Sequence, residues 1–599
     1  MKLRIIFILL IYLIMCSACI YLVDLNDEST ASYSDDDFEW TVPTPSSNSR
    51  IVYVSTTYGS DEGDVYVYED MESTDVFYPE GTINAFNTFE SAYACLRDGY
   101  ADYLLFRRGD TFTESIELDK WGPSGSERFV VGAFYYNPDN EAEANNSPLF
   151  ETGAEKGIYS YSKGIRNIYI LGLNFYANTR DPDNADYTGL EVYDDGDTGV
   201  FGSSGFGFSN SIDDYDCENI TVEGCKFSYY GGNSVSLAYD CTGTITVDFR
   251  RCVILNSYTT TEGSHAQGFW GFQAQINMDE CIMDHNGWQG EADSGDPGEA
   301  TIFNHNTYFA GCYDSTFENC IFTRGSSMNN KWTGYPGTED SSPNIVMNNN
   351  FYMGGEIAIQ VGGNYSDYYG EYRFKDLEIT NCVVQDAGWE NPLGRTLGWG
   401  FYLEGMNSGS VRNNVIFFRN VDQTLTNSYG VYLKDGYSKE LIIDSNIFSS
   451  NTDGPALFYA DENDGEETDE IAITKNIWNA TNTIDQINYL GRFYSDREYS
   501  FAGNWWFTPR TENEFLIDNS PYQKADWLLN YEPTATFGEE SYLFPDESRT
   551  VETYMGEIGE TESKEAFLEV IRSQDRYNWN TDISANKINN WIREGYVDS

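Results

Sequence analysis

The chain has 599 residues, with 96 Asp or Glu against 35 Lys or Arg and a formal net charge of −61. That balance argues against nucleic acid as a partner, because binding it requires a basic footprint. Forty-six Tyr and 36 Phe supply ample core material and argue against disorder, so the acidic surface points to divalent cations, a saline habitat or solubility by self-repulsion.

In chain order, Lys2 and Arg4 flank an apolar run, "IIFILLIYLIM", shorter than the ~20 residues that span a bilayer, which reads as an export signal over residues 1–19. Ser17 and Ala18 before Cys19 resemble a bacterial lipoprotein cleavage site and make Cys19 the lipidation candidate, although Cys16 stands where an aliphatic residue is usual. The expected location is the cell surface, the outer membrane or the medium. Residues 20–50, with "SYSDDDFEW" and "TPSSNS", read as an acidic, Ser-rich linker. In 51–150 the strand "IVYVST", a segment "NAFNTFESAYACLRDGY" suited to a capping helix, and the strand "DYLLFRRGDTF" suggest an N-terminal cap and the first coils.

From residue 174 a phrase recurs, Asn or Cys, any residue, then a large apolar residue: "NFY" (174), "CKF" (225), "CVI" (252), "CIM" (281), "CIF" (320), "NFY" (350), "CVV" (382), "NVI" (414), "NIF" (446), "NIW" (476) and "NWW" (504). From 320 onward the steps are 30, 32, 32, 32, 30 and 28 residues. Short alternating strands precede each phrase, with Gly- and Asn-rich turns between them. A period near 30 without helical pattern predicts a right-handed parallel β-helix of about ten to twelve coils over residues 151–545. The Asn/Cys position becomes an internal ladder. Cys225, Cys252, Cys281, Cys320 and Cys382 are then ladder residues rather than disulfide partners, although disulfides are the default in an exported chain. Residues 546–599 change to three- and four-residue apolar spacing, predicting a helical segment on the side or end of the solenoid.

The segments "YLLFRRGDTF", "SHAQG", "DHNGW", "FNHN" and "QDRYNWNTDISANKINNWIREGY" together resemble a family of exported bacterial parallel β-helix proteins of the pectate-lyase-like superfamily. The resemblance runs from about residue 51 to the C-terminus. It implies the fold and a polysaccharide partner, and leaves lyase, hydrolase and epimerase chemistry open.

All three histidines, His265, His285 and His305, fall within 41 residues. His265 lies 16 residues before Cys281 and His305 lies 15 before Cys320, so the two are expected to stack on successive coils. Asn256, His285 and Arg324 each lie four residues after a ladder cysteine and form a second stripe, with Asp386 in the same phase two coils beyond. β-Elimination from a uronate needs a base for the C5 proton, a counter-charge for the carboxylate and an acid for the leaving oxygen. His285 is the expected base, Arg324 the carboxylate clamp, and Lys331 the neutraliser or alternate base. Related sequences often carry His where Met328 stands, a departure that weakens a simple transfer of catalytic residues. Trp270, Trp288, Trp332 and Trp389, read as loop residues, are the expected sugar-stacking aromatics, with Asn256 beside them.

A competing reading gives His265 and His305 a transition ion with Asp279 or Asp284. Calcium, the cofactor considered, would use Asp284, Glu291, Asp293, Asp296 or Glu299 around the acidic insertion, which otherwise is a solvated loop. "NTDG" at 451–454 echoes a polygalacturonase phrase, but its later partners are missing, so it reads as a turn. The leading expectation is an extracellular monomer that cleaves a uronate-containing glycan by elimination. A non-catalytic glycan-binding or adhesive surface protein is one alternative. A glycoside hydrolase is another, with Asp284 and Glu318 as its nearest carboxylates.

Overall fold

The computed structural model describes residues 39–62, 68, 75–136, 146–160, 165–189, 204–208, 217–237, 245–261, 264–295, 298–334, 344–362, 374–419, 425, 427–434, 438, 440–450, 456–461, 470–480, 485–489, 499–508, 515–517, 520–538 and 542–597. The export signal, Cys16, Cys19, Asp296 and the "NTDG" segment lie outside the described residues. Residues Met1–Trp40 and Thr41–Ser599 are separate compact units, and the second holds all the strands and helices of the solenoid and its caps.

Three sheets wind around one axis as a right-handed parallel β-helix, and every coil contributes one strand to each. The first sheet runs from Ile51–Val54 to Tyr499–Ala502, the second from Thr111–Phe112 to Thr536–Gly538, and the third from Ile116–Glu117 to Phe515–Ile517. An antiparallel strand, Ser520–Tyr522, ends the third sheet. Each sheet holds fourteen strands among the described residues, more than the ten to twelve coils expected, because several coils precede the first recurring phrase.

The corner between the first and second sheets explains the repeat. One residue takes a left-handed backbone, as at Asn319 (φ 54°), Asn349 (φ 54°) and Asn381 (φ 58°), a conformation in which Asn is favoured among L-residues. The next residue turns inward and is the ladder position. Asn350 accepts from the Cys320 amide at 2.8 Å, and the Asn414 side chain donates to Ile379 O and to Asn446 Oδ1 at 2.8 and 2.9 Å. The column continues through Asn476 to Asn504, which donates to Glu532 Oε1. Glu532 is fully buried and also receives the indole N–H groups of Trp506 and Trp527 at 2.8 and 3.1 Å, so the last ladder amide is not orphaned. The ladder cysteines are buried free thiols, among them Cys252, Cys281 and Cys320 on successive coils. The phrase at 174 is out of step by one: Asn174 pairs with Lys226, so the neighbour of Cys225 is Leu173.

Both ends are closed. Helix Phe89–Tyr93, N-capped by Thr88, packs Phe89 and Tyr93 against the core. At the far end Trp527 of helix Lys524–Asn530 stacks on Phe515 with ring centroids 4.3 Å apart. Part of the expected linker is docked instead: Thr41 donates from N and Oγ1 to buried Glu223, at 2.8 and 3.2 Å.

The C-terminal segment forms helices Val551–Glu557, Lys564–Ser573 and Ala585–Tyr596, the last two N-capped by Ser563 and Ser584. Their apolar faces, with Phe567, Ile571, Ile588 and Ile592, join Ile282, Ile321, Phe351 and Val383 in one buried cluster. The segment therefore lies along the side of the solenoid, over the second sheet.

Candidate functional site

The predicted stripe exists. Asn256, His285, Arg324 and Asp386 all take the left-handed turn just after a second-sheet strand, with φ of 54°, 58°, 49° and 52°. It is a seam rather than an opening. Asp284, fully buried, receives Arg324 at 2.8 and 2.6 Å, the Thr323 hydroxyl at 2.7 Å and the guanidinium of Arg572 from the helical segment. Burial alone would raise its pKa, but the two arginines outweigh it and hold the carboxyl below its usual range. Arg572 also donates to Asn256 at 3.0 Å, Lys564 pairs with buried Asp386 at 2.8 Å, and Arg576 pairs with Glu223 at 2.6 Å.

Several expected roles meet this seam. Arg324, expected to clamp a substrate carboxylate, already holds Asp284 and, at 3.0 Å, Glu390. His285 stacks on Trp288 at 4.1 Å, and burial, then the Arg324 charge, lower its pKa to about 3. Trp288 donates its indole N–H to Arg324 O at 3.0 Å. Asp284, considered for calcium and for hydrolysis, is consumed by two arginines, and Glu318 sits on another sheet, paired in register with Asp279. Glu291 and Asp293 are exposed on the insertion, and Glu299 accepts from Gly295 N at 2.6 Å within the same turn. Among the described residues no group of three or more His, Cys, Asp or Glu side chains could hold a metal ion.

Two aromatics are corrected outright. Trp332 lies on strand Met328–Thr333, not in a loop, and is buried in the solenoid core against Phe309 and Phe317. Trp389 is buried in the cluster beneath the C-terminal helices, with the Lys564 ammonium 4.5 Å from its ring. Trp270 also lies on a strand, Gln267–Phe272, but is only part-buried.

The third sheet presents a different surface. Strands Gln267–Phe272, His305–Ala310, Met328–Thr333, Ile357–Val361 and Leu397–Leu403 pair in parallel register. Phe269, Phe309, Trp332, Ile359, Val361, Phe401 and Leu403 belong to the solenoid core. Alternation therefore turns Trp270, Tyr308, Lys331, Gln360 and Tyr402 outward as one row. A second row, three positions earlier in the same register, contains Asn233, Gln267, His305, Met328, Ile357 and Trp399. Strict alternation would send it inward, but His305 meets the ring of outward Tyr308 at 5.6 Å, and Met328, Ile357 and Trp399 pack with outward Tyr402 apart from the solenoid core.

Polar atoms on these rows lack partners. His305 is fully buried, yet neither ring nitrogen has a hydrogen bond, and Asn233 Oδ1, Gln267 Oε1, Trp270 Nε1 and Gln360 Oε1 are likewise unsatisfied among the described residues. Each such atom costs about 1–3 kcal/mol unless water or a ligand completes it. Lys331 has no acidic or hydrogen-bonding partner among the described residues. Its ammonium lies 4.6 Å from the Tyr308 ring centroid, and burial pushes its pKa down to about 8. His265 is exposed and stacks on exposed Phe303 at 5.0 Å. Burial first, then the Lys331 charge, lowers the pKa of both His265 and His305, so both are neutral at pH 7. His305 pairs with Gln267, two residues beyond His265, so the two histidines meet diagonally rather than stack.

The structure thus brings His265, His305, Lys331 and Trp270 together and leaves His285 and Arg324 on another edge. Sequence reading missed Asn233, Gln267, Tyr308 and Gln360. Period-2 alternation within the strands, as in "MNNKWT", is the signal that separates outward Lys331 from inward Trp332.

No family model matches the chain, and no curated protein sequence does. Among solved structures, tailspike protein 3 of bacteriophage CBA120 aligns with a TM-score of 0.38 at 10% identity over 76% of this chain, which spans 58% of the tailspike. A lacto-N-biosidase from Eubacterium ramulus aligns with a TM-score of 0.35 at 11% identity, covering 81% of this chain and 67% of that one. The surface adhesin PfbA of Streptococcus pneumoniae gives 0.33 at 12% identity, covering 76% and 87%. The fold itself rests on the strand pairing.

Proposed function

We propose that the outward rows of the third sheet bind an acidic polysaccharide outside the cell, and that the protein cleaves it by β-elimination with Lys331 as the counter-charge of the uronate carboxylate. The observation that carries this reading is the isolation of Lys331. In a chain with 96 acidic residues, none among the described residues stands beside this half-buried ammonium, and an unpaired buried charge is costly. A sugar carboxylate supplies the missing partner and gives an anionic polymer a local foothold on an acidic protein.

The neighbours fit the remaining steps. A neutral His265, exposed beside Lys331, takes the C5 proton on a ring nitrogen. The electron pair left at C5 forms the C4–C5 double bond as the bond between C4 and the bridging oxygen breaks. That oxygen takes a proton from the Tyr308 hydroxyl, next to Lys331 in the row. The protonated Lys331 stabilises the charge that develops on the carboxylate. His305 lies buried behind them, and part-exposed Trp270 offers a ring face. A calcium ion arriving with the substrate would add counter-charge, and comparison of assays with calcium and with EDTA tests that contribution.

Incubation with a panel of uronate-containing and neutral glycans tests the reading. Ultraviolet absorbance of an unsaturated product is expected for the wild type and its loss for Lys331→Gln. Reducing ends without that absorbance would mean hydrolysis, and retention on a glycan without products would mean a binding module.

A further inference from the structure

The row that begins at Asn233 changes character halfway. Asn233, Gln267 and His305 occupy three consecutive coils, and each carries a buried polar atom without a partner among the described residues. Met328, Ile357 and Trp399 occupy the next three, in the same register, and carry none. At about 4.8 Å per coil the six positions extend over about 24 Å. Lys331 shares its coil with Met328, so the isolated cation stands at the junction of the two halves.

The apolar half is built around Trp399. Ile357, Tyr402, Tyr429 and Tyr432 form a small cluster separate from the solenoid core, with Met328 and Trp399 packed against it. Trp399 stacks on Tyr402 at 5.7 Å with 7° between the rings and meets the edge of Tyr432 at 4.9 Å. The tyrosines are nearly buried, whereas Trp399 keeps part of its surface. The Tyr402 hydroxyl turns away to Glu404 at 3.0 Å. Arg395, four residues before Trp399 in the chain, is held by buried Glu356, with Nε at 2.8 Å. This half therefore offers a ring face and no unpaired cation among the described residues.

From this asymmetry, and resting on the reading of these rows as a glycan site, we infer that the substrate is a heteroglycan. An acidic, hydroxyl-rich stretch lies over Asn233, Gln267 and His305. An uncharged residue with an apolar face, such as a deoxy or O-acylated sugar, lies over Trp399. Sugar hydroxyls complete the unpartnered acceptors of the first half, and ring stacking favours the second residue. Trp399 is thereby a specificity-determining residue, not a catalytic one.

The test is calorimetric binding to the full chain carrying His265→Ala, which slows turnover. Two ligand sets are compared, uniform oligouronides and oligosaccharides in which the uronate stretch is followed by deoxy or O-acetylated residues. The mixed set is expected to bind roughly tenfold more tightly. Adding Trp399→Ala is expected to erase that preference while leaving uniform oligouronides unaffected, and Trp399→Phe, which keeps a ring, to retain most of it. Equal affinity for the two sets, or an equal loss on both with Trp399→Ala, overturns the inference. Cleavage of uniform oligouronides with no preference for the mixed set would leave the lyase reading standing and this inference refuted. Binding of neither set would refute both.

Discussion

The second and third sheets come from the same coils, and each presents rows of outward side chains, yet their charges are met differently, although His285 Nδ1 beside the second sheet also has no hydrogen bond among the described residues. Beneath the C-terminal segment the buried carboxylates have found cations: Glu223, at the end of a first-sheet strand, with Arg576, Asp284, at the end of a second-sheet strand, with Arg324 and Arg572, and Asp386, at a turn, with Lys564. Three of those four cations come from the C-terminal segment, and the apolar residues between them are covered by its helices. On the third sheet the balance is reversed. Among the described residues Lys331 lacks an anion, His305 lacks both hydrogen bonds, and Gln267 and Gln360 each have an idle carbonyl oxygen. Pairing of buried charges is how a chain secures a structural contact, whereas unmet hydrogen-bonding capacity on a structured face is what a ligand completes.

Mutations on the two faces should therefore fail in different ways. The largest effect is expected from Lys331→Gln, a loss of turnover on the order of 10²–10⁴ with no loss of thermal stability, read from product absorbance and a melting curve together. Asp284→Ala should do the opposite. It strands two arginines and is expected to cost about 3–5 kcal/mol in denaturant unfolding, with turnover per folded molecule unchanged. His265→Ala should lower kcat roughly a hundredfold and leave the unfolding midpoint alone.

A smaller effect is expected from pH. Activity should rise as His265 loses its proton, below the ordinary histidine range, and fall as Lys331 loses its own near pH 8. Lys331→Arg should carry the falling arm to higher pH. Stability has the opposite sign there. Because the folded pKa of Lys331 lies below its unfolded value, its charging penalty is fully present below about pH 8 and relaxes as pH rises toward about 10.5. The stability gap between wild type and Lys331→Gln should narrow over that window.

The fold was legible because its signal is local. A left-handed corner residue followed by an inward Asn or Cys needs only two adjacent positions, and that pair recurs nearly every coil. The turn row of Asn256, His285 and Arg324 was legible for the same reason, since counting from the ladder cysteines places all three. What counting along the coil does not provide is the cover. Arg572 lies 288 residues from Asp284, and the repeat contains no sign that helices so far along the chain close this row. Trp332 was misplaced because an aromatic beside Gly and Asn reads as a turn, while the strand's alternation sends it into the core. The neutral histidines and the isolated lysine depend on which side chains surround them in space. Composition shows only that acids outnumber bases, which makes Lys331 without an acidic neighbour hard to anticipate.

The most direct test sets the two faces side by side. Lys331→Gln and Arg324→Gln each remove one positive charge, from two faces of the same coil, and both can be assayed on one uronate glycan with turnover normalised to folded protein. The expected result is that Lys331→Gln loses turnover without losing stability, while Arg324→Gln keeps turnover and loses stability. Loss of turnover in Arg324→Gln with Lys331→Gln fully active would place the chemistry on the second-sheet seam and contradict this account.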